Sequence, residues 1–241
     1  NAGLRWDFFG RYREEQDRFA NFDLRTGIRV VPDTARPIVR NVLGLANGDL
    51  PAGWRYGSID EVIPRNNYKN FAPRLGFAYN PKSKLVFRGG MGMFYGVTVS
   101  NNFNNSGTEG NPFFFDLSLG SELTTPIIAR NGFPTGGIVG PLTARTFGAY
   151  YGPLDRDDPY TVKWNFNVQY NIFTKTAVEI GYSGQNARKF ATLVPGNTPQ
   201  PGVGAVQDRR PYPNAGVYWQ FVPGNNSNYN GLEVTLKQQE F

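Results

Sequence analysis

The side chains able to do chemistry are few and narrow in kind. The chain of 241 residues has no Cys and no His, which excludes thiol nucleophiles, His-based acid–base pairs, disulfides and Cys/His metal sites. What remains is carboxylate chemistry. Asp155, Asp157 and Asp158 form the densest acidic cluster, and carboxylate oxygens are the hard ligands that Ca²⁺ takes. The spacing is unlike an EF-hand loop, Arg156 sits inside it and Pro159 follows, so a solvated loop corner or strand start is the plainer reading. Asp7, Glu179 and Glu233 fall on one face by alternation, as a glycosidase pair would. Isolated charges balanced by Arg5, Arg74, Arg88 or Lys163 account for them more simply. The glycines of RGGMGMFYG (Gly89, Gly90, Gly92, Gly96) do not fit G-x-G-x-x-G and open no helix, so no phosphate cradle is expected. Glycines at alternate strand positions instead let a side chain from a neighbouring strand pack across them. No enzymatic activity, metal or cofactor is expected.

Charge and composition narrow the class further. Net charge is +6 with a pI near 9.5, but Lys and Arg are scattered. A basic stripe interleaved with exposed aromatics is missing, so nucleic acid is not an expected partner. Mean hydropathy of −0.45, with no run of 18 apolar residues, excludes helical membrane spans. Gly 29 and Pro 18 penalise helix along most of the chain, while Tyr 13 and Phe 19 favour strands.

The elements that must carry these residues read as strands of period two. In 160–171, Tyr160, Val162, Trp164, Phe166, Val168 and Tyr170 alternate with Thr161, Lys163, Asn165, Asn167, Gln169 and Asn171. After a turn at Asn171 to Lys175, Val178, Ile180 and Tyr182 oppose Ala177, Glu179, Gly181 and Ser183. A second hairpin joins 71–80 to 85–96 through Pro81 to Lys84, with Phe94 breaking its polar face. Single strands carry Leu4, Trp6 and Phe8 against Arg5 and Asp7, and Leu232, Val234 and Leu236 against Glu233, Thr235 and Lys237.

The resulting six strands alternate between short turns and long Gly/Asn/Pro-rich tracts at roughly 13 to 69, Val97 to Asp158 and Gln185 to Ser227. Structureless loops beyond about 12–15 residues are rare in compact soluble domains. Short turns on one side and long loops on the other are the pattern of outer-membrane barrels. The expected fold is therefore all-β: an antiparallel up-and-down sheet with long loops, an incomplete segment of a transmembrane β-barrel, since barrels need at least about eight strands. The polar face then supplies lumen candidates: Arg5, Asp7, Arg74, Arg88, Lys163, Asn165, Asn167, Gln169, Glu179, Glu233 and Lys237. The apolar face supplies membrane-interface aromatics: Trp6, Tyr79, Tyr95, Trp164, Tyr170 and Tyr182, with Phe8 and Tyr160. Loop aromatics and Asn runs at Asn101 to Asn105, Phe113 to Phe115 and Tyr212 to Tyr218 either hold a ligand or pack the loops on one another. A soluble sandwich also alternates, which leaves a soluble β-rich binding or adhesion module, recognising glycan or protein through its loops, as the alternative.

Six segments, NFAPRLGFAYNP (70–81), FRGGMGMFYG (87–96), DPYTVKWNFNVQY (158–170), VEIGYSGQNARK (178–189), RRPYPNAG (209–216) and NSNYNGLEVTLK (226–237), follow in order. LRWDFFGRYREEQDRFANFDLRTG at the start adds a seventh. Together they resemble TonB-dependent outer-membrane receptors, specifically the Oar-like group. The resemblance implies a plugged barrel of about 22 strands in the outer membrane of a Gram-negative bacterium. It also implies coupling to TonB, contact with outer-membrane lipid and lipopolysaccharide, and movement of a large substrate. Residues 1–241 correspond to part of the barrel domain, without the plug, the TonB box or the regulatory-like domain of the group. Phe241 is expected to mark truncation rather than a barrel's terminal aromatic.

Overall fold

A computed structural model describes residues 1–43, 50–96, 112–113, 149–155 and 157–238. Ten strands and one α-helix are present among them: β1 (Ala2–Trp6), β2 (Asn21–Asp23), β3 (Ile28–Pro32), α1 (Arg36–Leu43), β4 (Trp54–Gly57), β5 (Phe71–Lys82), β6 (Leu85–Tyr95), β7 (Ala149–Tyr151), β8 (Tyr160–Phe173), β9 (Thr176–Gly196) and β10 (Tyr218–Gln238). All six strands read from alternation are found. Seven strands form one open sheet in the order β1-β5-β6-β8-β9-β10-β7. Its long ladders are antiparallel, and only the short β7 joins in parallel. It is an incomplete segment of an antiparallel barrel, with its two hairpins closed by Ser83-Lys84 and Thr174-Lys175. These turns are tighter than Pro81–Lys84 and Asn171–Lys175, because the strands run on into both. They lie side by side, the Asn171 N–H donating to the Lys84 carbonyl at 2.8 Å.

The opposite end of the sheet departs most from the sequence reading. The tract from 13 to 69 is a folded module rather than a loop: β2, β3 and β4 make a second, three-stranded sheet with β3 in the middle, and α1 covers one face of it. Pro37 stands in the helix's first turn, where its missing N–H costs nothing. Ala20, Val31, Ala35, Val39 and Trp54 pack on the helix side, and Phe19, Val30, Val62 and Ile63 on the other. Most of the buried apolar side chains of the described residues belong to this module.

The tract Gln185 to Ser227 is likewise mostly strand. β9 and β10 have 21 residues each, whereas a tilted membrane strand needs about 9–11. β9 stays paired with β8 only up to Arg188, opposite Tyr160. Beyond this level β9 and β10 continue as a ribbon, which the short β7 joins along Tyr218 to Gln220. The ribbon leaves the sheet where the β9–β10 register shifts, between Pro223 and Ser227, beside Lys189 at a positive φ of 60°. Its tip, 197–217, is held by Asn197, whose side-chain N–H₂ donates to the carbonyls of Tyr212, Ala215 and Gly216. The tip docks on the module: Phe22 stacks on Tyr218 at 4.7 Å, and the Tyr212 hydroxyl donates to the Leu24 carbonyl. Gly27 has a φ of +69° and lies so close beneath the Tyr212 ring that a Cβ would overlap it, so this turn requires glycine. Most of Val97 to Asp158 lies outside the described residues, as do Asn101 to Asn105, Phe114, Phe115 and Phe241. Phe113 packs against the module's helix-side core.

Candidate functional site

The two faces of the large sheet separate chemically along every ladder. One rung runs Phe77, Gly89, Phe166, Tyr182, Leu232, and another Tyr79, Phe87, Val168, Ile180, Val234. Leu4, Leu75, Phe77, Tyr79, Leu232, Val234 and Leu236 are all more than half exposed. Among the described residues, no protein layer lies over this apolar face. Gly89 and Gly184 belong to it and are covered by the rings of Phe77 and Trp164, where a Cβ would intrude at 2.6 and 2.5 Å.

Aromatics gather at both rims. At the loop end Trp6, Phe8 and Tyr68 stack in a column, with centroids 5.9 and 5.1 Å apart, and the Trp6 indole donates to the Tyr68 carbonyl at 2.9 Å. Tyr95 and Tyr160 meet beside them. Tyr79 and Tyr170 stand towards the turn end. Trp164 and Tyr182 fall near mid-strand instead, because the central rung is Gly90, Asn165, Ser183. Tyr182 satisfies its hydroxyl within the sheet, donating to Asn230 Oδ1 at 2.7 Å, so it does not need the polar rim.

The opposite face carries the eleven polar candidates or, for Asp7, continues it just past β1. Their partners differ from the simplest charge pairing. Arg5 bonds Asp7 at 2.5 Å, Lys237 pairs with Glu179, and Arg88 donates to Gln169 Oε1 at 3.1 Å. Arg74 and Lys163 instead flank Phe94, at 4.6 and 5.9 Å from the ring centroid. The aromatic that interrupts the polar alternation is thus a cation–π platform between two charges. Near the turn end Asn167, Glu179, Gly181, Glu233, Thr235 and Lys237 line a recess of about 230 Å³. Asn165 lies between, on the central rung.

The three clustered aspartates are dispersed by the fold. Asp155 pairs with Arg65 at 2.7 Å and Asp157 with Lys189 at 3.1 Å. Asp158 is buried and accepts from Asn67 and Asn70 at 3.1 and 2.7 Å. Asn70 also receives the Asp7 N–H on its carbonyl, so this latch ties β1, β5 and β8 at the loop end. The first residues of NFAPRLGFAYNP and DPYTVKWNFNVQY therefore meet each other.

A second recess lies on the module's other face and was missed by sequence reasoning, because it is assembled from distant segments. It has a volume of about 390 Å³ and lies between β2, β3, β4 and the segment 153–155. Val30, Phe22, Leu24, Pro153 and Leu154 give it apolar walls, and Arg25, Arg55 and Arg65 stand on it with Asp23, Glu61 and Asp155. The far wall is pinned. The Asn21 side chain bonds both the carbonyl and the N–H of Gly152, at 2.9 and 3.1 Å, and the Arg65 N–H holds the Leu154 carbonyl at 2.8 Å. Glu61 is kept below the usual carboxylate range by the Arg55 guanidinium and then by the Ser58 N–H. For Asp23, burial pushes upward, but bonds from the Arg25 N–H, the Thr26 hydroxyl and the Arg25 guanidinium outweigh it and leave the carboxyl low.

On the reverse of β3, Arg29 is 3% exposed, and none of its guanidinium nitrogens has a hydrogen-bond partner among the described residues. The Trp54 ring stands 5.5 Å from it. Burial without a counter-charge pushes this guanidinium down to about 9.

An uncovered apolar face with aromatic rims, backed by a polar face and joined by tight turns at one end, defines a membrane-spanning β-barrel sheet. The family described as outer membrane beta barrel domain matches residues 1–240, and the chain belongs to it. Among solved structures, a double mutant of the Serratia marcescens hemophore receptor HasR, in complex with its hemophore HasA and heme, is similar at 16% identity with a TM-score of 0.36. The match covers 72% of this chain and 21% of that one, so the chain spans about a fifth of the length of that receptor. No curated protein matches it.

Proposed function

We propose that the chain is part of a TonB-dependent outer-membrane receptor of the Oar-like group, which binds a large substrate and moves it across the outer membrane of a Gram-negative bacterium. The observation that carries this reading is the asymmetry of the two sheet ends. One end is closed by two-residue turns. The other bears a packed module, a ribbon formed by the outer parts of the two 21-residue strands β9 and β10, and a docked tip. A passive pore needs open water above its lumen, whereas a receptor needs a shaped surface held rigidly over it. In this arrangement the apolar face meets lipid, the aromatic rims meet headgroups and lipopolysaccharide, and the polar face lines the lumen or seats a plug. TonB acts through parts of the receptor outside this chain. No catalytic step is assigned. A soluble module is the poorer reading, because its sheet would offer water a continuous apolar face.

The test is uptake by cells expressing the full-length receptor, with and without functional TonB and with the module (13–65) deleted. Substrate accumulation should require TonB, and surface binding should require the module. Uptake unchanged without TonB overturns the receptor reading in favour of a passive pore.

A further inference from the structure

The recess between β3 and residues 153–155 has features of a binding site beyond its size, which falls within the roughly 300–1,000 Å³ of small-molecule sites. Its walls are fixed by bonds that do not involve an occupant: Asn21 to Gly152 and the Arg65 N–H to Leu154. It combines an apolar floor with three guanidinium groups.

Its polar capacity is lopsided. Each guanidinium offers five N–H donors, and within the described structure Arg25 uses one of them, Arg65 one and Arg55 two. Two of the three acids are already committed: Asp23 takes three donors, and Glu61 is shared between Arg55 and the Ser58 N–H. The unspent hydrogen-bonding capacity is therefore mostly donor. Formal charges on the recess balance, but Arg29 adds an unpaired buried charge one residue from Val30 on the floor strand. In a low-dielectric surround its field reaches across the strand and tips the recess toward anions.

The geometry points to this recess as a binding site for a carboxylate-bearing small molecule with an apolar body, the body on Val30 and Leu154 and the carboxylate on Arg25 and Arg65. This rests on the module being the outward, substrate-meeting end of the receptor.

The experiment is calorimetric titration of the purified full-length receptor in nanodiscs with N-acetylphenylalanine, alongside its neutral amide and phenethylamine. The carboxylate should bind, and the amide and the ammonium should bind at least about tenfold more weakly, the loss expected for a charged hydrogen-bonded contact. Arg25→Ala and Arg65→Ala should each weaken binding by about three- to tenfold, and Leu154→Trp, which fills the recess, should abolish it. Arg29→Met should lower affinity while leaving the module folded, as judged by hydrogen exchange. Equal binding of acid and amide, preference for the ammonium, or binding unchanged by Leu154→Trp each overturns the proposal. TonB-dependent uptake with no probe binding would discard this site and keep the receptor reading. Probe binding without TonB dependence would do the reverse.

Discussion

At the scale of single residues, Arg29 is the least comfortable group in the described chain. Its guanidinium is buried on the middle strand of the small sheet with no hydrogen-bond partner. A cation–π contact with Trp54 at 5.5 Å returns only about 0.5–2 kcal/mol, less than full desolvation of a charge costs. Arg29→Met keeps the volume and removes the charge, so it should stabilise the module by about 1–3 kcal/mol, read as slower exchange of the Val30 and Val31 amides. Faster exchange would mean that the guanidinium has a partner. Asp17 is the opposite case. It is buried but accepts from Arg13 at 2.6 and 2.8 Å and from the Thr34 hydroxyl at 2.6 Å. The Arg13 bond, more than the opposing burial, holds its carboxyl below the usual value of 3.8. A carboxyl whose folded value is depressed stabilises the fold above its unfolded pKa and loses that contribution as pH falls through the folded one. Amide exchange in the module should therefore accelerate below about pH 4. Asp17→Asn should flatten that response while weakening the module at neutral pH.

At the scale of elements, the sheet faces give the sharpest expectation. Phe166 and Asn167 are neighbours in β8, one on the apolar rung with Phe77 and Tyr182, the other opposite Arg88 and Gly181. Phe166→Arg should cost about 2–4 kcal/mol in liposome unfolding, and Asn167→Arg little; equal costs would refute the facing. These strands were legible because both environments are uniform, so every second residue of β5, β6, β8 and the inner halves of β9 and β10 carries the same signal. Phe94 broke that alternation for a reason invisible in one strand: Arg74 and Lys163 come from β5 and β8. The short β2, β3 and β4, of three to five residues each, are too brief for period two to show, and α1 hides behind Pro37. Pro195 and Pro223 masked the outer ribbon, although a proline is tolerated at a bulge such as that after Pro223. The latch of Asn70 with Asp158 and the recess above Val30 join residues 88 or more apart in sequence, or three separate segments. No local pattern announces them.

At the scale of the whole molecule, sidedness follows from where the core lies. The sheet's apolar face buries almost nothing, whereas the module holds packed clusters around Val31 and Val30 and shares a third, around Phe22, with the ribbon tip. Water-excluding packing of this kind belongs outside the bilayer, because lipid itself solvates the apolar face of the strands. The two-residue turns at Ser83-Lys84 and Thr174-Lys175 are too small to carry a binding surface and match the periplasmic end of outer-membrane barrels. Val203, in the tip, is 98% exposed and stands at the far end of the ribbon from Ser83. A cysteine at Val203 of the full-length protein should react with an impermeant maleimide on intact cells, and one at Ser83 only after the outer membrane is permeabilised. This chain has no cysteine of its own to confuse the reading. Labelling at Ser83 but not at Val203 would invert the molecule, place the recess beside Val30 in the periplasm, and turn the module from a substrate-facing surface into one that meets the periplasmic partners of the barrel.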